Sequence, residues 1–177
     1  YTPTHTLSLH DALPIYVGAL DTYWATHMEL LGENAAFDLH DALWPVRSYV
    51  PNAPPVEMIH PHSTTPPNEN DEDRLQSGGC ICDSLMAGGA LLRGAHVKRS
   101  VIGRDVTIEP GCRVEDSVIL EGVRLGRNVT IRRSIVDKLN HIPDNFTIGV
   151  DTDRDQRHFT VSEGGIVVVP KEMPLFL

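Results

Sequence analysis

A six-residue motif that returns at a fixed interval limits the fold of this chain more than any other feature. Val97-Lys-Arg-Ser-Val-Ile102, Val114-Glu-Asp-Ser-Val-Ile119 and Ile131-Arg-Arg-Ser-Ile-Val136 stand in even steps of seventeen, and a looser copy, Ile81-Cys-Asp-Ser-Leu-Met86, precedes them at a step one shorter. A finer period lies inside the longer one. Aliphatic residues at Leu85, Leu91, Val97, Ile102, Ile108, Val114, Leu120, Leu125 and Ile131 are 5 or 6 apart, Asp137 takes the skipped place, and Ile142 and Ile148 follow. A helix needs apolar spacing near 3.6 and a half-buried strand near 2, so a step of six fits neither. It fits a coil with three flat sides, each a short strand that turns a corner every six residues. The expected fold is therefore all-β: a left-handed parallel β-helix of about four coils over 77–150, each coil pairing with those above and below.

Residues two places before each aliphatic position should also point inward. They are Ala95, Ser100, Val106, Cys112, Val118, Val123, Val129 and Ile135, all small or β-branched, as a narrow prism requires. Gly88, Gly94, Gly103, Gly111, Gly122 and Gly126 fall at or near corners, where positive φ costs glycine least. Before the prism, Leu20, Tyr23, Trp24, Met28 and Leu31 keep helical spacing up to Gly32, which predicts an amphipathic helix over 19–31. Residues 45–77 hold seven prolines and the polar run Asn68 to Asp73, and read as a linker. After the prism, Asp151 to Arg157 reads as a polar turn, and Ile166-Val-Val-Val169 as a strand that closes the end of the β-helix.

Charge is unevenly spread. Residues 1–84 carry a net −10, 85–138 a net +4 and 139–177 a net −3. The acidic whole argues against non-specific nucleic-acid binding, while the basic island leaves room for an anion site. No apolar run approaches the roughly 18–20 residues of a membrane span, and the start is unlike a signal peptide, so a soluble, cytoplasmic chain is expected. Three cysteines, Cys80, Cys82 and Cys112, give neither a disulfide framework nor a paired zinc pattern. His60-Pro-His62 is the best-spaced histidine pair, but no further ligand lies near it in sequence, and no metal site is expected.

The flanking motifs carry a family resemblance. Val17-Gly-Ala-Leu-Asp-Thr-Tyr-Trp24, Trp44-Pro-Val-Arg47, Ser77-Gly-Gly-Cys-Ile81, Ile135-Val-Asp-Lys138, Ile142-Pro143, Ile148-Gly149 and Arg157-His-Phe-Thr-Val161 through Glu163-Gly-Gly-Ile-Val-Val-Val-Pro-Lys171 run in one order along the chain. In that order they resemble the C-terminal part of bacterial ADP-glucose pyrophosphorylases, the glucose-1-phosphate adenylyltransferases. The resemblance implies a homotetrameric enzyme that makes ADP-glucose and pyrophosphate from ATP and glucose 1-phosphate with Mg²⁺, in glycogen synthesis. It divides the chain into a non-native extension over 1–15, the end of a catalytic domain with a linker over 16–76, the prism over 77–150, and a closing turn and strand over 151–177.

The same resemblance implies that the chemistry lies in an N-terminal catalytic domain that this sequence lacks. No Gly-rich phosphate loop is present. The family's late Asp-Val-Gly-Thr motif, whose Asp binds metal, falls at residues 16–19, where Tyr16 and Ala19 replace its ends. No catalytic or metal residue is therefore expected in this chain. What the resemblance does imply is a regulatory site for sugar phosphates and related glycolytic intermediates. It places one basic residue after the Val-Asp pair, Lys138, another after the closing strand, Lys171, and a third near Leu175, where it is missing. The competing reading is a hexapeptide-repeat acyltransferase with His96 or His141 as general base, but the even steps leave no insertion to build a cofactor cleft.

Overall fold

The computed structural model describes residues 18–32, 35, 38–41, 43, 52–60 and 79–175. The expected extension at 1–15, Trp44–Arg47 and the polar run 68–73 lie outside the described residues. From Cys80 to Ile148 the backbone winds as a parallel β-helix of three sheets. The first sheet orders β1 (Glu57–Ile59), β4 (Leu91–Arg93), β7 (Thr107–Ile108), β10 (Arg124–Leu125) and β13 (His141–Ile142). The second orders β2 (Cys80–Cys82), β5 (His96–Lys98), β8 (Arg113–Glu115), β11 (Thr130–Arg132) and β14 (Thr147–Ile148). The third orders β3 (Leu85–Met86), β6 (Val101–Ile102), β9 (Val118–Ile119), β12 (Ser134–Val136), β16 (Val167–Val169) and β15 (Thr160–Val161). Register follows the sequence repeat, with Val97 opposite Val114, Val114 opposite Ile131 and Ile131 opposite Ile148.

The inward register matches the sequence reading at Ser100-Val-Ile102 but differs from it at Ser117-Val-Ile119, at Ser134-Ile-Val136 and at the aliphatic pairs before Val97. Leu92, Val97, Ile102, Ile108, Val114, Ile119, Leu125, Ile131, Val136, Ile142 and Ile148 are all buried in the prism. From Val97 the steps are 5, 6 and 6, three times over. Ile119, not Leu120, and Val136, not Asp137, therefore fill the core, and Leu92 and Met86 replace Leu91 and Leu85. Near-uniform steps of six could not choose between adjacent aliphatics. The deciding residue is the serine two places earlier. Ser100, Ser117 and Ser134 are fully buried, and their hydroxyls donate to the carbonyls of Lys98, Glu115 and Arg132 at 2.8, 2.6 and 2.6 Å. Each hydroxyl oxygen also accepts the N–H of the next serine up or, at the top, is the last of the stack; Ser117 N–H reaches Ser100 Oγ and Ser134 N–H reaches Ser117 Oγ, both at 3.2 Å. Polar groups inside the prism are thus satisfied by one another.

Val118 and Ile135, expected inward, point outward instead. With Ile166 and Val168 they form a second apolar cluster against Tyr23, Trp24 and Met28. Those three belong to α1 (Leu20–Glu29), which docks on the outer face of the third sheet. Trp24 Nε1 donates to the Asp116 carbonyl at 2.7 Å, and the Arg133 guanidinium lies 5.3 Å from the indole centre. Asp21 accepts from the Ser162 hydroxyl and from the Gly164 N–H at 3.1 Å, tying the helix to the β15–β16 hairpin. A further departure is β1, a strand inside the proline-rich stretch. It extends the first sheet through Glu57 N–H to the Ala90 carbonyl at 2.9 Å.

Corner glycines follow two rules. Gly94, Gly111 and Gly122 have positive φ, whereas Gly103 is needed because a Cβ would stand 2.8 Å from the Leu120 carbonyl carbon. At the corner before the third sheet, Asp83, Arg99, Asp116 and Arg133 adopt the left-handed conformation without glycine.

Past β14 the chain leaves the coil. The stretch expected as a turn forms α2 (Thr152–His158), capped by Asp151 Oδ1 on the Arg154 N–H at 3.1 Å. Acidic residues in its first turn and basic ones in its last suit the helix dipole. Asp155, only 1% exposed, accepts the Gly149 N–H on Oδ2 at 2.8 Å, while Oδ1 finds no partner among the described residues. Phe159 then packs edge-on to Phe146 at 6.4 Å, and β16 returns parallel to β12 as the side that a further coil would have supplied.

Two expectations follow. Val118→Asp should release α1 and leave the prism folded, whereas Ile119→Ala should cost the prism about 2–5 kcal/mol. Trp24 fluorescence and thermal unfolding separate these outcomes. Burial pushes the Asp155 carboxyl above its ordinary range. Its contribution to stability is thus present below the unfolded carboxylate value of about 3.9 and lost as pH rises through the raised folded value. Wild type should accordingly gain stability over Asp155→Asn as the pH falls through that window, as read by denaturant unfolding.

Candidate functional site

Stacked coils put residues one repeat apart into columns, and one such column runs up the corner between the third and first sheets. Gly122 N–H donates to the Arg104 carbonyl at 2.8 Å, and Leu139 N–H donates to the Glu121 carbonyl at 3.0 Å. Arg104, Glu121 and Lys138 therefore occupy successive levels of one edge. The next level comes from the closing strand. Ser134, Ile135 and Val136 pair with Val167, Val168 and Val169, and Asp137 N–H donates to the Val169 carbonyl at 2.9 Å. Lys138 and Lys171 each stand two residues beyond the end of these paired strands. The structure thus brings their backbones to the same corner, although α2 and the β15–β16 hairpin lie between them in sequence.

Asn140 holds that corner and is not among the sequence candidates. It is 1% exposed and uses both ends of its amide. Nδ2 donates to the Asp137 and Pro170 carbonyls at 2.8 and 2.9 Å, and Oδ1 accepts the Met173 N–H at 2.8 Å. A signal existed in the sequence. Val123 and Val106 fill the same inward position one and two coils below, so a polar residue at 140 interrupts an apolar column.

Both lysines are exposed. Lys171 Nζ lies 4.0 Å from Glu172, and Lys138 makes no ion pair among the described residues. Below them, Arg104 Nη2 pairs with Glu121 Oε1 at 2.7 Å. Tyr23 of α1 reaches the same corner: burial raises its hydroxyl pKa, and the Asp137 charge raises it further. Beside the lysines lies an open hollow of about 380 Å³ lined by Leu139, His141, Pro143, Glu172, Met173, Pro174 and Leu175. Leu175, where the resemblance expects a third cation, is thus part of this wall.

The remaining sequence candidates are not gathered into a site. Cys80 Sγ lies 3.3 Å from His96 Nδ1 on the second sheet, which leaves His96 half-buried beside a thiol rather than free in solvent. Cys112 is core: its thiol donates to the Gly126 carbonyl at 2.8 Å, and burial pushes its pKa up to about 11. His60 is described and His62 is not. Among the described residues no group of three His, Cys, Asp or Glu could hold a metal ion, and no helix is long and apolar enough to cross a membrane.

Residues 66–169 match the family described as GlmU-like, C-terminal hexapeptide. The chain belongs to that family. Its relatives are more specific than the repeat alone. It is 37% identical to glucose-1-phosphate adenylyltransferase 1 of Vibrio parahaemolyticus over 155 residues, which is 88% of this chain and 35% of the relative. It is 43% identical to the glucose-1-phosphate adenylyltransferase of Thiobacillus denitrificans over 157 residues, or 89% and 33%. The enzyme of that name from an Anaeromyxobacter strain matches at 38% over 157 residues, or 89% and 36%. The chain thus spans about a third of the length of the curated relatives it matches, and within the hexapeptide family it corresponds to their C-terminal part.

The Asn140 clamp is directly testable. Asn140→Leu keeps the volume but removes one acceptor and two donors, leaving Met173 N–H and the Pro170 carbonyl without this partner. Amide exchange at Met173 should rise while exchange in β5, β8 and β11 stays as in wild type.

Proposed function

We propose that this chain is the regulatory and assembly segment of a cytoplasmic glucose-1-phosphate adenylyltransferase, the enzyme that joins ATP and glucose 1-phosphate into ADP-glucose and pyrophosphate. The carrying observation is the corner where β16 lies parallel to β12 and sets Lys171 at the level beside Lys138. Two ammonium groups on one rigid edge, next to an open hollow, suit the phosphoryl group of a sugar phosphate or related glycolytic intermediate. Lysine serves there as a mobile point charge rather than as a bidentate fork. The partners of this reading are a catalytic domain and further copies of the chain in a homotetramer, for which the sides and edges of the prism offer surfaces.

Transfer itself needs groups that the described residues do not supply. Mg²⁺, which the family's reaction uses, would require clustered carboxylates, and the described donor set offers no such cluster. In this reading the described residues bind and position, and the nucleotidyl transfer belongs to the catalytic domain. α1 contributes by covering the outer face of the third sheet, anchored through Trp24 on Asp116 and Asp21 on the β15–β16 hairpin, with Tyr23 near Asp137 at the corner.

The test joins the chain to a catalytic domain of a relative and measures ADP-glucose formation against sugar-phosphate concentration. Lys138→Ala and Lys171→Ala should each raise the half-activating concentration about tenfold, as expected for loss of one charge-assisted contact of about 1.4 kcal/mol or more. Activation constants equal to wild type in both variants would refute the site. The 177-residue chain on its own should form no ADP-glucose.

A further inference from the structure

The edge that carries Lys138 also carries an acid directly beneath it. Glu121 is one coil below Lys138, joined through the Leu139 N–H to the Glu121 carbonyl at 3.0 Å. Neighbouring strands are about 4.8 Å apart, so the Glu121 carboxylate is within side-chain reach of the Lys138 ammonium. At such a distance an opposite charge would compete with any anion for that lysine. Yet Glu121 is engaged on its other side. Arg104, one coil further down, pairs its Nη2 with Glu121 Oε1 at 2.7 Å, and Lys138 is left without an ion pair among the described residues.

The pair is also the more sheltered part of the column. The Arg104 side chain is 23% exposed and that of Glu121 41%, whereas Lys138 is an exposed residue. A planar guanidinium holds a carboxylate with a defined geometry that an ammonium on a flexible stem does not match. The carboxylate is accordingly drawn down the edge and away from the lysine.

We propose that Arg104 is a positioning residue for the anion site: it holds and neutralises Glu121, which would otherwise pair with Lys138 and quench it. The order of charges up the edge is then +, −, +, +, in which the lower two cancel and the upper two remain available. The other charges at this corner are Asp137, whose Oδ1 accepts the Lys138 N–H at 2.7 Å, and Lys171 and Glu172 on the closing turn, which lie 4.0 Å apart; Arg104 pairs with Glu121 and with none of these three. The inference rests on the effector reading for its consequence, but its electrostatic core can be measured without any ligand.

The experiment follows the titration of Lys138 by the ¹³Cε shift of its side chain in the full chain, assigned with Lys138→Arg. Phosphate affinity is measured in parallel with inorganic phosphate as the probe. In Arg104→Ala the freed Glu121 should raise the Lys138 pKa and weaken phosphate binding by about threefold, the size expected of an exposed pair. Arg104→Ala/Glu121→Gln should reverse both changes, and Arg104→Lys should retain most of the wild-type behaviour. Glu121→Gln alone should leave the Lys138 titration close to wild type, because Glu121 is already neutralised there. It also probes the idea in a background where Arg104 is untouched. An unchanged Lys138 titration in a folded Arg104→Ala variant, or a failure of Glu121→Gln to reverse the change, overturns the proposal. So does a Glu121→Gln variant whose Lys138 pKa falls by as much as Arg104→Ala raises it. If the titrations behave as stated but phosphate affinity is indifferent to Lys138→Ala, the effector reading fails while the role of Arg104 toward Lys138 stands.

Discussion

Each coil of this protein is held by parallel backbone hydrogen bonds to the coils on either side, in the register of the sequence repeat. That ladder turns a linear repeat into a set of vertical columns. Whatever occupies one position of the repeat meets its own kind one coil later, on the level above. Aliphatics stack on aliphatics, serines on serines, and left-handed corner residues on one another. Nearest-neighbour stacking of this sort makes stability a sum over adjacent levels. It also makes the surface a consequence of the repeat, since columns of outward residues are fixed by the same register.

The third sheet shows how the register assigns roles. Its inward residues, such as Ile119 and Val136, fill the prism. Their outward neighbours Val118 and Ile135 would leave an apolar stripe in water, and α1 covers them. The helix is thus part of the same burial of apolar surface as the prism and not an appendage to it. At the far end α2, Phe159 and β16 replace a coil that the chain does not make. Both the capping hairpin and the corner shared by Lys138 and Lys171 arise from that single departure from the repeat.

Much of this was legible in the sequence, and the failures have identifiable causes. A step of six within a longer repeat matches neither helix nor simple strand, so the prism could be inferred from aliphatic spacing alone. Which of two adjacent aliphatics faces in could not. Val118 and Ile119 are both β-branched and both fully buried, and only the serine at 117, with its hydroxyl turned back to Glu115, reveals the true parity. β1 was hidden because it is short and lies among prolines; it exists through pairing with the prism edge rather than through propensity. Lys138 and Lys171 came from family motifs. Asn140, by contrast, was available from the columns themselves, as the one polar residue in line with Val106 and Val123.

The attachment of α1 also sets the order in which the molecule can assemble. Contacts within the prism join residues about one coil apart, so each new level closes a short loop onto one already formed. The bond from Asp21 to Ser162 spans 141 residues, and that from Trp24 to Asp116 spans 92. Closing loops of that length costs more chain entropy, and the helix finds its seat only once Val118, Ile135 and the hairpin exist together. The prism is therefore the template and the helix the latecomer. Material interrupted between those two stages would expose the very stripe that the helix is meant to cover, which makes the interval before docking the aggregation-prone moment in the life of this chain.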